Sequence, residues 1–129
     1  MSARRPIAAA GLVVLLTSTG VLHFAAPESF DAIVPEQLPG TARTWTHLSG
    51  AAELVVAALI AIPRTRRVGG LLAALLFVAV FPANVKMAID WSDRPDWMRA
   101  LAYVRLPLQI PLVLWALLIY RRATTRPAP

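Results

Sequence analysis

This chain of 129 residues is 57% hydrophobic and only 16% charged, with a mean hydropathy of +0.60, whereas about a quarter of a soluble domain is charged. It has no cysteine, which excludes a disulfide framework, an iron–sulfur or zinc-thiolate site and any thiol relay carried by this chain. The net charge of +6 does not indicate nucleic acid, because the arginines fall in short clusters between apolar runs and no basic helix with interleaved aromatics occurs.

The first apolar run covers residues 6–26 (PIAAAGLVVLLTSTGVLHFAA) and carries His23 near its end. Arg4 and Arg5 ahead of it also fit a cleavable signal, and RRP resembles a twin-arginine signal. The run is longer than a signal's apolar region and no A-x-A site precedes a polar start, so the span is expected to be retained. Residues 27–43 (PESFDAIVPEQLPGTAR) mix acids with Phe30, Ile33 and Val34 and are broken by Pro35 and Pro39. This composition predicts a short interfacial turn and then an extended segment over the mouth of the fold.

The second run, residues 45–62, contains Glu53, the one acid outside the loops. Gly50, Glu53, Ala57 and Ala61 share a side of that helix, where small residues let a neighbour come close. Residues 63–67 (PRTRR) are so short a connection that the second and third runs must be antiparallel neighbours. The third run, residues 68–89, opens with Gly69, Gly70, Ala73 and Ala74 and carries Pro82 two residues before Asn84. Residues 90–97 (DWSDRPDW) place Trp91 and Trp97 where an aromatic belt belongs. The fourth run, residues 98–120, holds Arg105, Pro107, Gln109 and Pro111, and the terminal TTRPAP has no capacity to pack.

Each run is close to the ~20 residues that cross a hydrocarbon core of about 30 Å. The expected fold is all-α: a single membrane domain over 1–129 forming an antiparallel four-helix bundle. One side receives Arg4, Arg5, Arg64, Arg66, Arg67, Arg121, Arg122 and Arg126 and no acid. The other receives Arg43, Lys86, Arg94, Arg99 and Arg105 with Glu28, Asp31, Glu36, Asp90, Asp93 and Asp96. Positive loops stay inside, so both termini are expected in the cytoplasm and the protein in the bacterial inner membrane.

The polar residues of the four runs gather at one depth. By helical rise Glu53 lies ~12 Å below the outer end of its span, Asn84 and Arg105 ~10 Å and His23 ~7 Å, with Gln109 one turn below Arg105. An ionised side chain there costs at least ~2.5–3.5 kcal/mol unless it is satisfied. The expected solution is a cluster of His23, Glu53, Asn84, Arg105 and Gln109 in which Glu53 pairs with Arg105 and the others fill the remaining hydrogen bonds. Pro82, Pro107 and Pro111 are expected to kink their helices and free carbonyls beside the cluster. Such a network either fixes helix register or serves a substrate, quinone or proton. Lys86 and Arg105 can also snorkel outward. Haem between His23 and His47 has no supporting second shell, and His23, His47 and Glu53 do not make a metal triad, because His47 and Glu53 face different sides. No metal site and no catalytic residue is expected.

Four stretches, GVLHFAAPESFDAIVPEQLP, SGAAEL, VFPANVKMA and RLPLQ, occur in an order that resembles the DoxX-like group of small four-span bacterial membrane proteins, over Gly20 to Gln109. The resemblance implies an antiparallel four-helix bundle with marked positions at His23, Pro35, Glu53, Pro82, Asn84, Arg105 and Gln109. It also implies a place near redox chemistry, since the group includes relatives of a thiosulfate:quinone oxidoreductase subunit and members of oxidative-stress complexes. Without cysteine or a haem pattern, this chain is expected to be a non-catalytic accessory or anchor subunit with a membrane or redox protein partner. It would sit in the lipid bilayer, with homo-oligomers allowed, a bound quinone as the one cofactor considered, and no nucleic acid. The competing expectation is a small proton-linked transporter that uses Glu53.

Overall fold

A computed structural model describes residues 4–124, so the expectation for residues 125–129 lies outside the described residues. Within them the chain is helical and has no strand: α1 (Arg4–Ala25), α2 (Pro27–Asp31), α3 (Ala42–Ala61), α4 (Arg66–Ala79), α5 (Phe81–Asp90) and α6 (Asp96–Thr124). Four stretches, 7–25, 42–61, 66–90 and 96–123, are long and apolar enough to cross a membrane, in agreement with the four apolar runs.

Local chemistry sets the boundaries. Pro27 is the first residue of α2, and a residue that precedes proline avoids the helical region. Ala26 accordingly leaves it (φ −138°, ψ 63°), ending α1. Thr41 caps α3 by accepting from the Thr44 amide at 3.3 Å. Pro63 ends α3 in the same way, with Ile62 extended at ψ 119°. The last carbonyls of α3 are not left bare. Thr65 Oγ1 donates to Leu59 O (2.7 Å), Arg66 Nε to Ile60 O (2.7 Å) and Arg66 Nη2 to Ala61 O (3.2 Å). The short connection thus folds back onto the helix it leaves.

The third run is two helices, not one. The break falls at Val80, two residues ahead of Pro82, which sits in the first turn of α5 where its missing N–H is tolerated. By contrast, α6 runs unbroken through both Pro107 and Pro111. Of Pro82, Pro107 and Pro111, Pro82 alone adjoins a break between helices.

Close approaches decide which helices are neighbours. α1 lies on α3, α3 on α4, α4 and α5 on α6, and α1 touches α6, whereas α3 meets neither α5 nor α6. A Cβ placed on Gly50 would lie 2.7 Å from the His23 Cβ, and one on Gly20 2.9 Å from Leu54, so α1 and α3 cross at bare backbone. One on Gly69 would meet the Ile60 amide at 2.8 Å, and one on Gly70 the Tyr120 amide at 2.8 Å, so these two glycines seat α4 against α3 and α6. All of Gly69, Gly70, Ala73 and Ala74 are buried. On α3 the buried small residues are Gly50 and Ala57, while Ala61 is exposed and Ile60 takes the inward position.

The apolar core is consequently divided. One cluster gathers Leu12, Leu16, Val56, Ile60, Phe77, Ala116 and Ile119, and Trp115 Nε1 ties it to Ala8 O at 2.9 Å. We call this the closed end. A smaller cluster of Ile33, Met87, Ala88 and Ala102 lies beside α5 at the other, open end. There the α1–α3 pair and the α5–α6 pair stand apart with α2 and its following turn between them. Outside both clusters many large apolar side chains are exposed, among them Val14, Val55, Leu75, Ile110 and Leu114. Trp97 is exposed, but Trp91 packs against the smaller cluster.

Candidate functional site

The gap at the open end is a cavity of about 140 Å³. From the α1–α3 pair it is lined by Thr19, His23, Ser49 and Glu53, and from the α5–α6 pair by Ala83, Asn84 and Arg105. Phe30, Ile33 and Val34 cover it. Four of the five residues expected to cluster therefore reach one space. Gln109 does not line it but is attached to it, because Asn84 Nδ2 donates to Gln109 Oε1 at 3.1 Å. Both amides are buried, Asn84 at 6% and Gln109 at 7% exposure.

The pairing inside the cavity differs from the expected one. Glu53 faces His23, with Oε2 3.3 Å from Nδ1 and side-chain exposures of 13% and 10%. No ion pair among the described residues joins Glu53 to Arg105; Arg105 Nη1 instead donates to Met87 Sδ at 3.3 Å. The reason is topological. The backbones of α3 and α6 do not approach each other closely, and the cavity lies between the two charges, whereas the Gly20–Gly50 crossing brings α1 within reach of Glu53. Equal depth along the helices was not enough, since the two residues also had to sit on adjacent helices.

Helical carbonyls and a lid residue fix the histidine. Its Nδ1 carries the proton and donates to Thr19 O at 2.6 Å, one turn back on α1. Phe30 of α2 stacks on the imidazole, with ring centroids 3.7 Å apart and planes 19° from parallel. Because the Nδ1 proton is directed at Thr19 O, Glu53 Oε2 has no hydrogen bond of its own although it is buried. Gln109 Nε2 is likewise buried without an acceptor.

The lid is held by polar contacts just outside the cavity. Thr46, itself buried at the start of α3, donates from Oγ1 to Asp31 Oδ1 at 2.6 Å, and Arg43 Nε donates to Asp31 Oδ2 at 2.9 Å. The Thr46 hydroxyl holds the Asp31 carboxyl below the usual carboxylate range, with the Arg43 guanidinium adding to the effect and partial burial opposing it. Trp45 Nε1 donates to Pro39 O at 2.7 Å and fastens the rest of the segment. The expected turn is present as α2, followed by further turns rather than a purely extended stretch.

His47 and Lys86 stand outside the cavity. His47 is exposed and stacks on Phe24 with centroids 5.0 Å apart. Lys86 turns from the cavity to pair with Asp90 at 2.5 Å. Among the described residues no group of His, Cys, Asp or Glu is arranged to hold a metal ion. Sequence reasoning missed Phe30 as the ring over His23, Thr46 as the lid's anchor, and Ser49. The spacing of Ser49 and Glu53, one turn apart on α3, carried the last of these.

The chain belongs to a family described as a domain of unknown function (DUF8561), whose model matches residues 12–120 and so includes every residue of the cavity. No curated protein and no solved structure matches the chain.

Proposed function

We propose that the protein is an integral membrane protein of the bacterial inner membrane, an antiparallel four-helix bundle with both termini in the cytoplasm. In this reading it serves as a non-catalytic accessory or anchor subunit of a redox or envelope process. The carrying observation is the opposition of its two surfaces: apolar side chains exposed along the four long helices, and charged groups turned into one covered cavity. A lipid-facing exterior around a polar interior is how a bilayer protein resolves the cost of ionisable residues. The resemblance of the four motifs to DoxX-like proteins, carried by His23, Pro35, Glu53, Pro82, Asn84, Arg105 and Gln109, supports the accessory role, as does the lack of cysteine. Purification in mild detergent followed by mass spectrometry tests it: a stoichiometric membrane or redox partner is expected, and a strictly lone protein contradicts it.

The His23–Glu53 contact favours a second reading, a proton-linked carrier, because an imidazole and a carboxylate in one cavity can pass a proton between them. Flux in liposomes that Glu53→Gln abolishes would select this reading over the first.

A further inference from the structure

The cavity holds an unequal set of charges. Glu53 has His23 beside it, while Arg105, facing the same space, has only a thioether as acceptor among the described residues. A methionine sulfur is a weak acceptor and no counter-ion. Beyond the Nη1 contact with Met87, no acceptor for the guanidinium is found among the described residues, and an Nε–Nη2 pair is one edge that engages a carboxylate bidentately. Across the cavity, Glu53 Oε2 is buried and lacks a donor, and the Ser49 hydroxyl lies one turn away on the same helix face. Between these two polar edges Phe30, Ile33, Val34, Val80 and Ala83 supply apolar wall and cover, beside the polar Thr19, Thr46 and Asn84. A space of about 140 Å³ exceeds several-fold the ~10–15 Å³ that one water needs, and so admits a small organic acid.

We propose that this cavity binds a short-chain carboxylate bearing a hydroxyl on the adjacent carbon, with its carboxylate on Arg105, its hydroxyl donating to Glu53 and its few carbons under the α2 lid. The ligand supplies the counter-charge that Arg105 lacks and the donor that Glu53 Oε2 lacks, so both deficits are met by one molecule. A simple anion would meet only the first.

The site goes beyond the accessory role and stands or falls separately from it, since a partner can co-purify with a protein that binds no acid. The test is calorimetric titration of the purified full-length protein in detergent with lactate, propionate and chloride. Lactate is expected to bind saturably and about tenfold more tightly than propionate, the worth of one hydrogen bond to a charged group. Glu53→Leu, which removes the acceptor, should erase that preference while propionate binding persists, and Glu53→Gln, which keeps an uncharged acceptor, should only reduce it. Arg105→Gln should weaken both acids at least tenfold, and Arg105→Lys, which keeps the charge and loses the fork, should fall between. Equal affinity for lactate and propionate in the unaltered protein, binding of chloride as tight as lactate, or no saturable binding of lactate overturns the proposal, and none of these outcomes depends on a variant folding.

Discussion

His23 Nδ1 lies 3.3 Å from Glu53 Oε2 at the place where α1 and α3 cross backbone to backbone. The carboxylate is thereby tied to the helix packed against its own, and not to the cation across the cavity. Thermal unfolding in detergent should show the difference. His23→Gln is expected to cost about 1–3 kcal/mol because it strips a buried carboxylate of its facing group, and adding Glu53→Gln should restore part of that loss. Glu53→Gln and Arg105→Gln, which do not touch, should be additive within about 0.5 kcal/mol. Strong coupling between that second pair would refute the arrangement.

The glycines rank by what a methyl group would meet. At Gly70 the obstacles are backbone atoms, Tyr120 N at 2.8 Å and Ala116 O at 3.0 Å, which cannot rotate away. At Gly20 the nearest atoms belong to the flexible Leu54 side chain at 2.9 Å. Gly70→Ala should therefore cost about 1–3 kcal/mol, and Gly20→Ala measurably less. The reverse order of melting temperatures would contradict the packing at the closed end.

The buried amide pair is half satisfied, with Asn84 Nδ2 donating to Gln109 Oε1 and Gln109 Nε2 left over. Asn84→Leu alone should destabilise by about 0.6–1.7 kcal/mol, since it strands the remaining amide in an apolar setting. Replacing both, Asn84→Leu with Gln109→Leu, should return stability to the starting value or above it. A double variant less stable than either single one would mean that the pair matters for more than its hydrogen bond.

The lid should respond to acid. The Asp31 carboxyl is held below its ordinary range in the folded protein, chiefly by the Thr46 hydroxyl. A carboxyl depressed on folding contributes stability that is complete above its unfolded pKa of about 3.9 and is lost as pH falls through the folded value. Protection of residues 27–34 from hydrogen exchange, taken relative to the intrinsic rate at each pH, should therefore be high near neutrality and fall in that acidic window. Asp31→Asn should expose the segment at neutral pH and flatten its acid dependence, while exchange in the closed-end core stays unchanged. An acid response in Asp31→Asn equal to that of the unaltered protein would exclude this latch.

How far the sequence could be read depended on the range of the physics involved. The four helical stretches were legible because hydropathy and proline placement act locally: Pro27 and Pro63 end α1 and α3 where they stand. The gathering of His23, Glu53, Asn84 and Arg105 was legible from helical rise, which fixes depth. What depth could not give was the lateral order of helices, and so the partner of Glu53 was misassigned to α6 when it lies on α1. Pro82 accompanies a break at Val80, while α6 is continuous through Pro107 and Pro111. Phe30 over His23 is a contact between a loop and a span, which no periodicity encodes.

The backbones of α3 and α5 stand apart, which gives the molecule the outline of a pair of arms. With backbones wedged together at Gly69 and Gly70, the closed end is a fulcrum, and the two helix pairs are the arms of tweezers. Asn84 lies beyond the break at Val80, so the arm that carries it is α4 and α5 joined end to end. The glycines that seat α4 against its neighbours thus lie outside the lining of the polar chamber.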